Sequence, residues 1–146
     1  MTTDRPSLRP EVKAKWVAAL RSGDYKQGRN ALRTHDDHFC CLGVLCDLAV
    51  KEGAVPVPTF ESPYWRYDGI SEVPPLAVWQ WAYEEGITLS NPNYLIPDLV
   101  VQEEDDYETV DGLVARQTDE LREIVVLNDE DGYTFSELAD LIEEQL

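Results

Sequence analysis

The sequence predicts a single compact α+β domain, about four helices packed with a small antiparallel sheet or hairpins. Three observations lead there. Apolar residues recur at helical spacing in four separate stretches. The intervals hold proline-broken, aromatic or β-branched runs too short for helices. The length of 146 residues and the 43% apolar composition are those of one globular unit. A chain this long buries about 70% of its unfolded surface and needs no staple.

Residues 1–8 read as a flexible tail, with the domain filling residues 9–146. The first helix starts near Pro10, because proline suits the first helical turn. Val12, Trp16, Val17 and Leu20 share one face, Lys13, Lys15 and Arg21 lie off it, and Gly23 stops it. A polar stretch from Asp24 to Thr34 leads into a strand, His35-Asp36-Asp37 turns the chain, and His38-Phe39-Cys40 returns. The second helix spans roughly Cys41 to Glu52, with Gly53 ending it; being apolar nearly all round, it should lie buried at the centre. Residues 54–73, with Pro56, Pro58, Pro63 and four aromatics, give short strands and loops. A third helix runs from Pro74-Pro75 to Gly86, with Leu76, Val78, Trp79 and Tyr83 inward. Tyr94-Leu-Ile and Leu99-Val-Val are strand candidates, and Glu103 to Glu108 reads as a solvated acidic loop. Thr118 is placed to cap a short helix, Asp119 to Asn128. Thr134-Phe-Ser-Glu137 is a capping box that opens the last helix, with Tyr133 and Leu138 as its staple and Leu138, Leu141 and Ile142 inward.

The formal net charge is -17, unevenly spread. Residues 1–50 carry eight Lys/Arg against six Asp/Glu, and residues 51–146 carry four against 23. Such a chain repels duplex nucleic acid, whose capture depends on phosphate neutralisation. No apolar run is long enough to span a membrane, and the opening Met-Thr-Thr-Asp-Arg-Pro lacks a secretory apolar core, so a cytoplasmic protein is expected. The cysteines are Cys40, Cys41 and Cys46: an odd number, two of them adjacent, which fits reduced thiols better than a disulfide framework.

Two stretches, Trp16-Val-Ala-Ala-Leu-Arg-Ser-Gly-Asp-Tyr-Lys-Gln-Gly-Arg29 and Phe39-Cys-Cys-Leu-Gly-Val-Leu-Cys-Asp-Leu48, together resemble a family of small phage and prophage proteins frequent in actinobacterial phages. The C-terminal Leu127-Asn-Asp-Glu-Asp-Gly-Tyr-Thr-Phe-Ser-Glu-Leu-Ala-Asp-Leu-Ile142 is similar to that family's ending. The resemblance implies a viral or prophage origin, and with it a small accessory protein that counteracts host machinery or defence. It supplies no catalytic residues.

Five groups of residues have chemistry to offer. Arg21, Lys26, Arg29 and Arg33, beside Tyr25 and Gln27, could hold a small anionic, nucleotide-like ligand through guanidinium forks and tyrosine stacking. Their alternative is pairing with the chain's own carboxylates. His35, His38, Cys40 and Cys41 are zinc-ligand types, but their spacing fits no established finger. Cys40 or Cys41 at a helix start could serve as a nucleophile with His38 as base, though no orienting third group is identifiable. The run Asp129-Glu-Asp-Gly132 fails as a calcium loop, because with Gly132 at the sixth position the first and twelfth are Leu127 and Leu138. Finally, Glu103, Glu104, Asp105, Asp106 and Glu108 form an acidic surface that could mimic nucleic acid toward a basic host protein. The expected function is therefore binding of a small anionic ligand without a cofactor. The alternative is acidic inhibition of a basic host protein, and a cysteine- or metal-dependent enzyme stands last.

Overall fold

The chain is organised around α2, Cys41–Lys51, whose residues Cys41 to Cys46 and Ala49 are all buried. The computed structural model describes residues 8–83, 96–104 and 117–146, and of residues 102–104 and 117–120 the backbone alone. Around α2 lie α1 (Pro10–Ser22), α3 (Leu76–Ala82) and α4 (Ile124–Asp129), while α5 (Phe135–Gln145) packs on α1 and α4. The main partner of α5 is α1. The described strands form three two-stranded sheets: β1 (Lys26–Gln27) with β2 (His38–Phe39), β3 (Thr59–Glu61) with β4 (Tyr64–Arg66), and β5 (Asp98–Glu104) with β6 (Gln117–Glu123). The architecture is α+β, as the sequence predicts.

Local chemistry accounts for the helix ends. Pro10 opens α1, Gly23 closes it in the left-handed region at φ 83°, and Val12, Trp16, Val17 and Leu20 form its buried face. Trp16 is fully buried, and its indole N–H donates to the Cys41 carbonyl at 2.9 Å, which satisfies the polar end of a large apolar group. The capping box of α5 is present: Thr134 Oγ1 accepts from the Glu137 N–H, and Glu137 Oε1 accepts from the Thr134 N–H.

Three expectations need correction. Leu8, assigned to the tail, is buried and bridges to Tyr83; residues 1–7 lie outside the described residues. The third helix does not run on to Gly86 but stops at Ala82, because Tyr83 turns extended to pair with Leu8. Arg9 then caps that end, its backbone N–H donating to the Ala82 carbonyl and its Nε to the Trp81 carbonyl at 2.7 Å, a cation placed at a helix C-terminus. Residues from Gln117 to Glu123 form a strand rather than most of a helix, and α4 begins only at Ile124. Antiparallel pairing with Asp98–Glu104 overrides the helical propensity of Gln-Thr-Asp-Glu-Leu-Arg-Glu, and it places Glu103 and Glu104 in a strand instead of a loop. Leu99-Val-Val belongs to β5 as expected, whereas Tyr94 and Leu95 lie outside the described residues.

The basic segment makes a second pairing that the sequence does not announce: β1 pairs with β2 in parallel, with Lys26 opposite His38 and Gln27 opposite Phe39. The turn at His35–Asp37 is real, since the Thr34 N–H donates to the His38 carbonyl and Arg33 bridges to Phe39 in the antiparallel sense. Phe39 thus lies between two passes of the same segment, and residues 28–33 wrap around it.

Candidate functional site

A buried amide ties the middle of the segment from Arg21 to Arg33 to α2 and α4. Asn128 on α4 is fully buried, and every polar atom of its side chain is used. Its Oδ1 accepts from Gln27 Nε2 at 2.8 Å and from the Cys41 N–H at 3.3 Å; its Nδ2 donates to the Gly28 carbonyl at 2.9 Å and to Asp129 Oδ1 at 2.7 Å. Gln27 extends the network, donating to the Tyr133 carbonyl at 2.7 Å while its Oε1 accepts from the Phe135 N–H at 3.0 Å. That last bond satisfies an orphan donor in the first turn of α5. Gln27 is therefore a structural tie between β1 and the α4–α5 connection, not a free ligand group.

The other basic-segment residues do not converge on one pocket. Arg21, on the last turn of α1, reaches Asp140 at 2.6 Å and Glu143 at 3.0 Å on α5. Those two carboxylates, Glu143 first, hold its guanidinium pKa above the usual value. Tyr25 donates to Asp47 and accepts from Lys51 Nζ at 3.1 Å; burial first, then the Asp47 hydrogen bond, pushes its phenol pKa upward. Arg33 pairs with Asp37 at 2.8 Å and lies 4.2 Å from the Trp65 ring centroid and 5.1 Å from that of Phe39, held between a carboxylate and aromatic faces. Lys26 and Arg29 are exposed and form no ion pair with a described residue. Internal pairing thus takes Arg21 and Arg33 and occupies Tyr25 and Gln27, leaving two cations facing solvent.

The thiols are enclosed. Cys40, Cys41 and Cys46 are unpaired and buried. Burial pushes the Cys40 pKa up to about 12 and lifts those of Cys41 and Cys46 well above the ordinary thiol value. Cys40 sits at the N-cap of α2, where its Sγ accepts from the Gly43 N–H at 3.4 Å, so it acts as a helix cap rather than an activated nucleophile. His35 is exposed on the turn, and His38 Nδ1 lies 3.2 Å from Asp36. Among the described residues no group of three or more His, Cys, Asp or Glu could hold a metal ion. Of the acidic run, Glu103 and Glu104 are seen as strand backbone only, and Asp105, Asp106 and Glu108 lie outside the described residues.

Two features are not evident from residue spacing. One is Asn128, for which the only sequence signal is an amide directly after the apolar run Ile124-Val-Val-Leu127. The other is the edge of β5 away from β6, where Gln145 at the end of α5 pairs with the Val100 backbone. The stretches noted above as resembling one family come together at Asn128: Gln27-Gly28, Cys40-Cys41 and Leu127 to Phe135. No helix among the described residues is long and apolar enough to cross a membrane. Comparisons with curated proteins and with solved structures gave no match. A family model described as a domain of unknown function, DUF8296, matches residues 8–146, and so spans α1 through α5. The chain belongs to this DUF8296 family.

Proposed function

We propose that this is a phage or prophage accessory protein that acts by binding, and that it engages a basic host protein of the nucleic-acid-binding class through its acidic surface. The observation that carries the reading is how the charges are spent. Arg9, Lys15, Arg21, Arg33, Lys51, Arg66 and Arg122 each pair with a carboxylate of the same chain. Glu72, Glu123, Glu130 and Glu144 are exposed and form no ion pair with a described residue. With 23 acidic residues against four basic ones over residues 51–146, the outward field is negative. Such a field speeds capture of a cationic partner and is screened within about 10 Å at 0.1 M salt. Enclosed neutral thiols offer no support for thiol catalysis.

The test replaces Glu103, Glu104, Asp105, Asp106 and Glu108 with Gln and Asn. The variant, its fold checked by circular dichroism, is compared with wild type in pull-downs from host lysate at low and high salt. Basic partners should be recovered by wild type at low salt and reduced with the variant. Equal recovery of the same partners by both would mean that these carboxylates only solvate the surface.

A second reading, capture of a small anionic ligand of nucleotide type without cofactor, is favoured by one observation: Lys26 and Arg29 remain exposed and outside any ion pair with a described residue. On that reading Arg29→Ala weakens nucleotide binding in calorimetry and leaves the melting temperature unchanged. No heat of binding from linear or cyclic nucleotides at millimolar concentration rules the ligand out.

A further inference from the structure

The outer edge of β5 carries a place-holder. Val100 donates its N–H to Gln145 Oε1 at 2.6 Å and accepts from Gln145 Nε2 at 2.9 Å. One side-chain amide thereby makes both hydrogen bonds that a neighbouring strand would make to this residue. Because Val100 points both groups away from β6, its pairing with Leu121 is of the close, non-hydrogen-bonded kind, and the two side chains stand together on one face. Both side chains of that row are exposed, Leu121 at 66% and Val100 at 37%. In the next row of the same face, Asp98 stands opposite Glu123, two like charges across a ladder. Beside the edge runs a groove of about 630 Å³ lined by Val100, Val101, Tyr133, Leu141, Glu144 and Gln145.

We propose that this edge is a docking site for an extended basic segment of the partner protein, which adds as a third strand beside β5 in place of the Gln145 amide; the proposal rests on the acidic-surface reading above and locates it. The pattern across the sheet specifies the segment. A residue set beside Val100 extends the Val100–Leu121 row and should be apolar. A residue two positions away falls beside Asp98 and Glu123, where a lysine or arginine relieves the repulsion between the two carboxylates. The occupant is a partner and not a second copy of this chain, which would bring a further charge of -17 to an acidic face.

The probe is a short acetylated peptide with valine at its centre, lysine two positions to either side and serine elsewhere, titrated into isotope-labelled full-length protein. The amides of Val100 and Val101 should shift on binding. Replacing the valine by serine should weaken binding about ten-fold, the worth of one buried aliphatic side chain. Replacing the lysines by glutamate should abolish it, and Leu121→Ser in the protein, at an exposed position, should weaken it. Gln145→Ala should tighten binding, because it vacates the edge. The proposal is overturned if the valine and serine peptides bind alike, if Gln145→Ala weakens binding, or if the protein dimerises through the Val100 edge. It is also overturned if no peptide binds while the lysate still yields salt-sensitive basic partners, in which case the broader acidic reading stands without this site. Failure of both experiments removes both.

Discussion

Gly43→Ala should destabilise the domain by about 4 kcal/mol or more, among the largest effects a single methyl group produces. In an exposed helix the same change would stabilise by roughly 1 kcal/mol, since alanine is the better helix former. Packing reverses the sign. A Cβ built on Gly43 would lie 1.7 Å from the Leu32 carbonyl oxygen and 2.6 Å from its carbonyl carbon. Both are backbone atoms, so no side-chain rotation relieves the overlap. Either α2 must withdraw from the segment around Leu32, or that segment must withdraw from the core in which Leu32 is fully buried. Urea unfolding followed by far-ultraviolet circular dichroism measures the effect. A variant as stable as wild type, or more so, would show that α2 does not meet the Leu32 backbone this closely.

Asn128→Ala should cost about 3 kcal/mol and lower the melting temperature by roughly 10 °C. The change removes the acceptor of the Cys41 N–H and one acceptor of Gln27, together with the donor to the Gly28 carbonyl, all in a part-buried or buried setting. Burying a polar group without a partner costs more than its hydrogen bond contributes. Gln27 retains the Tyr133 carbonyl and the Phe135 N–H, so the loss is partial rather than complete. Arg29→Ala, at an exposed position in the same segment, should shift stability by no more than about 0.5 kcal/mol and serves as the control. Differential scanning calorimetry of the pair decides the matter. Equal melting temperatures for both variants would show that the amide network bears little of the fold.

What was legible in the sequence follows from how local each feature is. The start of α1 at Pro10, its stop at Gly23, the buried character of Cys41 to Ala49 and the capping box at Thr134 all depend on residues within a few positions of one another. Each was readable from spacing alone. The strand Gln117–Glu123 was not, because its conformation is decided by pairing with residues up to 25 positions away, Asp98 opposite Glu123 and Glu104 opposite Gln117. The end of α3 is set in the same way by Leu8 and Arg9, from the other end of the chain. The site shows the same division. Composition marks Arg21–Arg33 as basic, but only the fold assigns Asp140, Glu143 and Asp37 to its arginines. Nothing in the local pattern of Gln145 announces a backbone partner 45 residues earlier.

The ties at Asn128 and the seat of α1 on α5 also order events during synthesis. The bond from Asn128 to Gly28 spans 100 residues, that from Phe135 to Gln27 spans 108, and the pair Arg21–Asp140 joins the first helix to the last. During translation α1, β1 and α2 emerge with their apolar faces bared, before the helix that covers α1 is made. Closure of loops this long is slow, and bared apolar surface invites association before it is complete. The acidic residues that follow α2 in the chain give the waiting polypeptide a strong negative charge, which keeps nascent copies apart until α5 arrives. The surplus of carboxylate would thus serve as a solubility reserve for the unfinished domain.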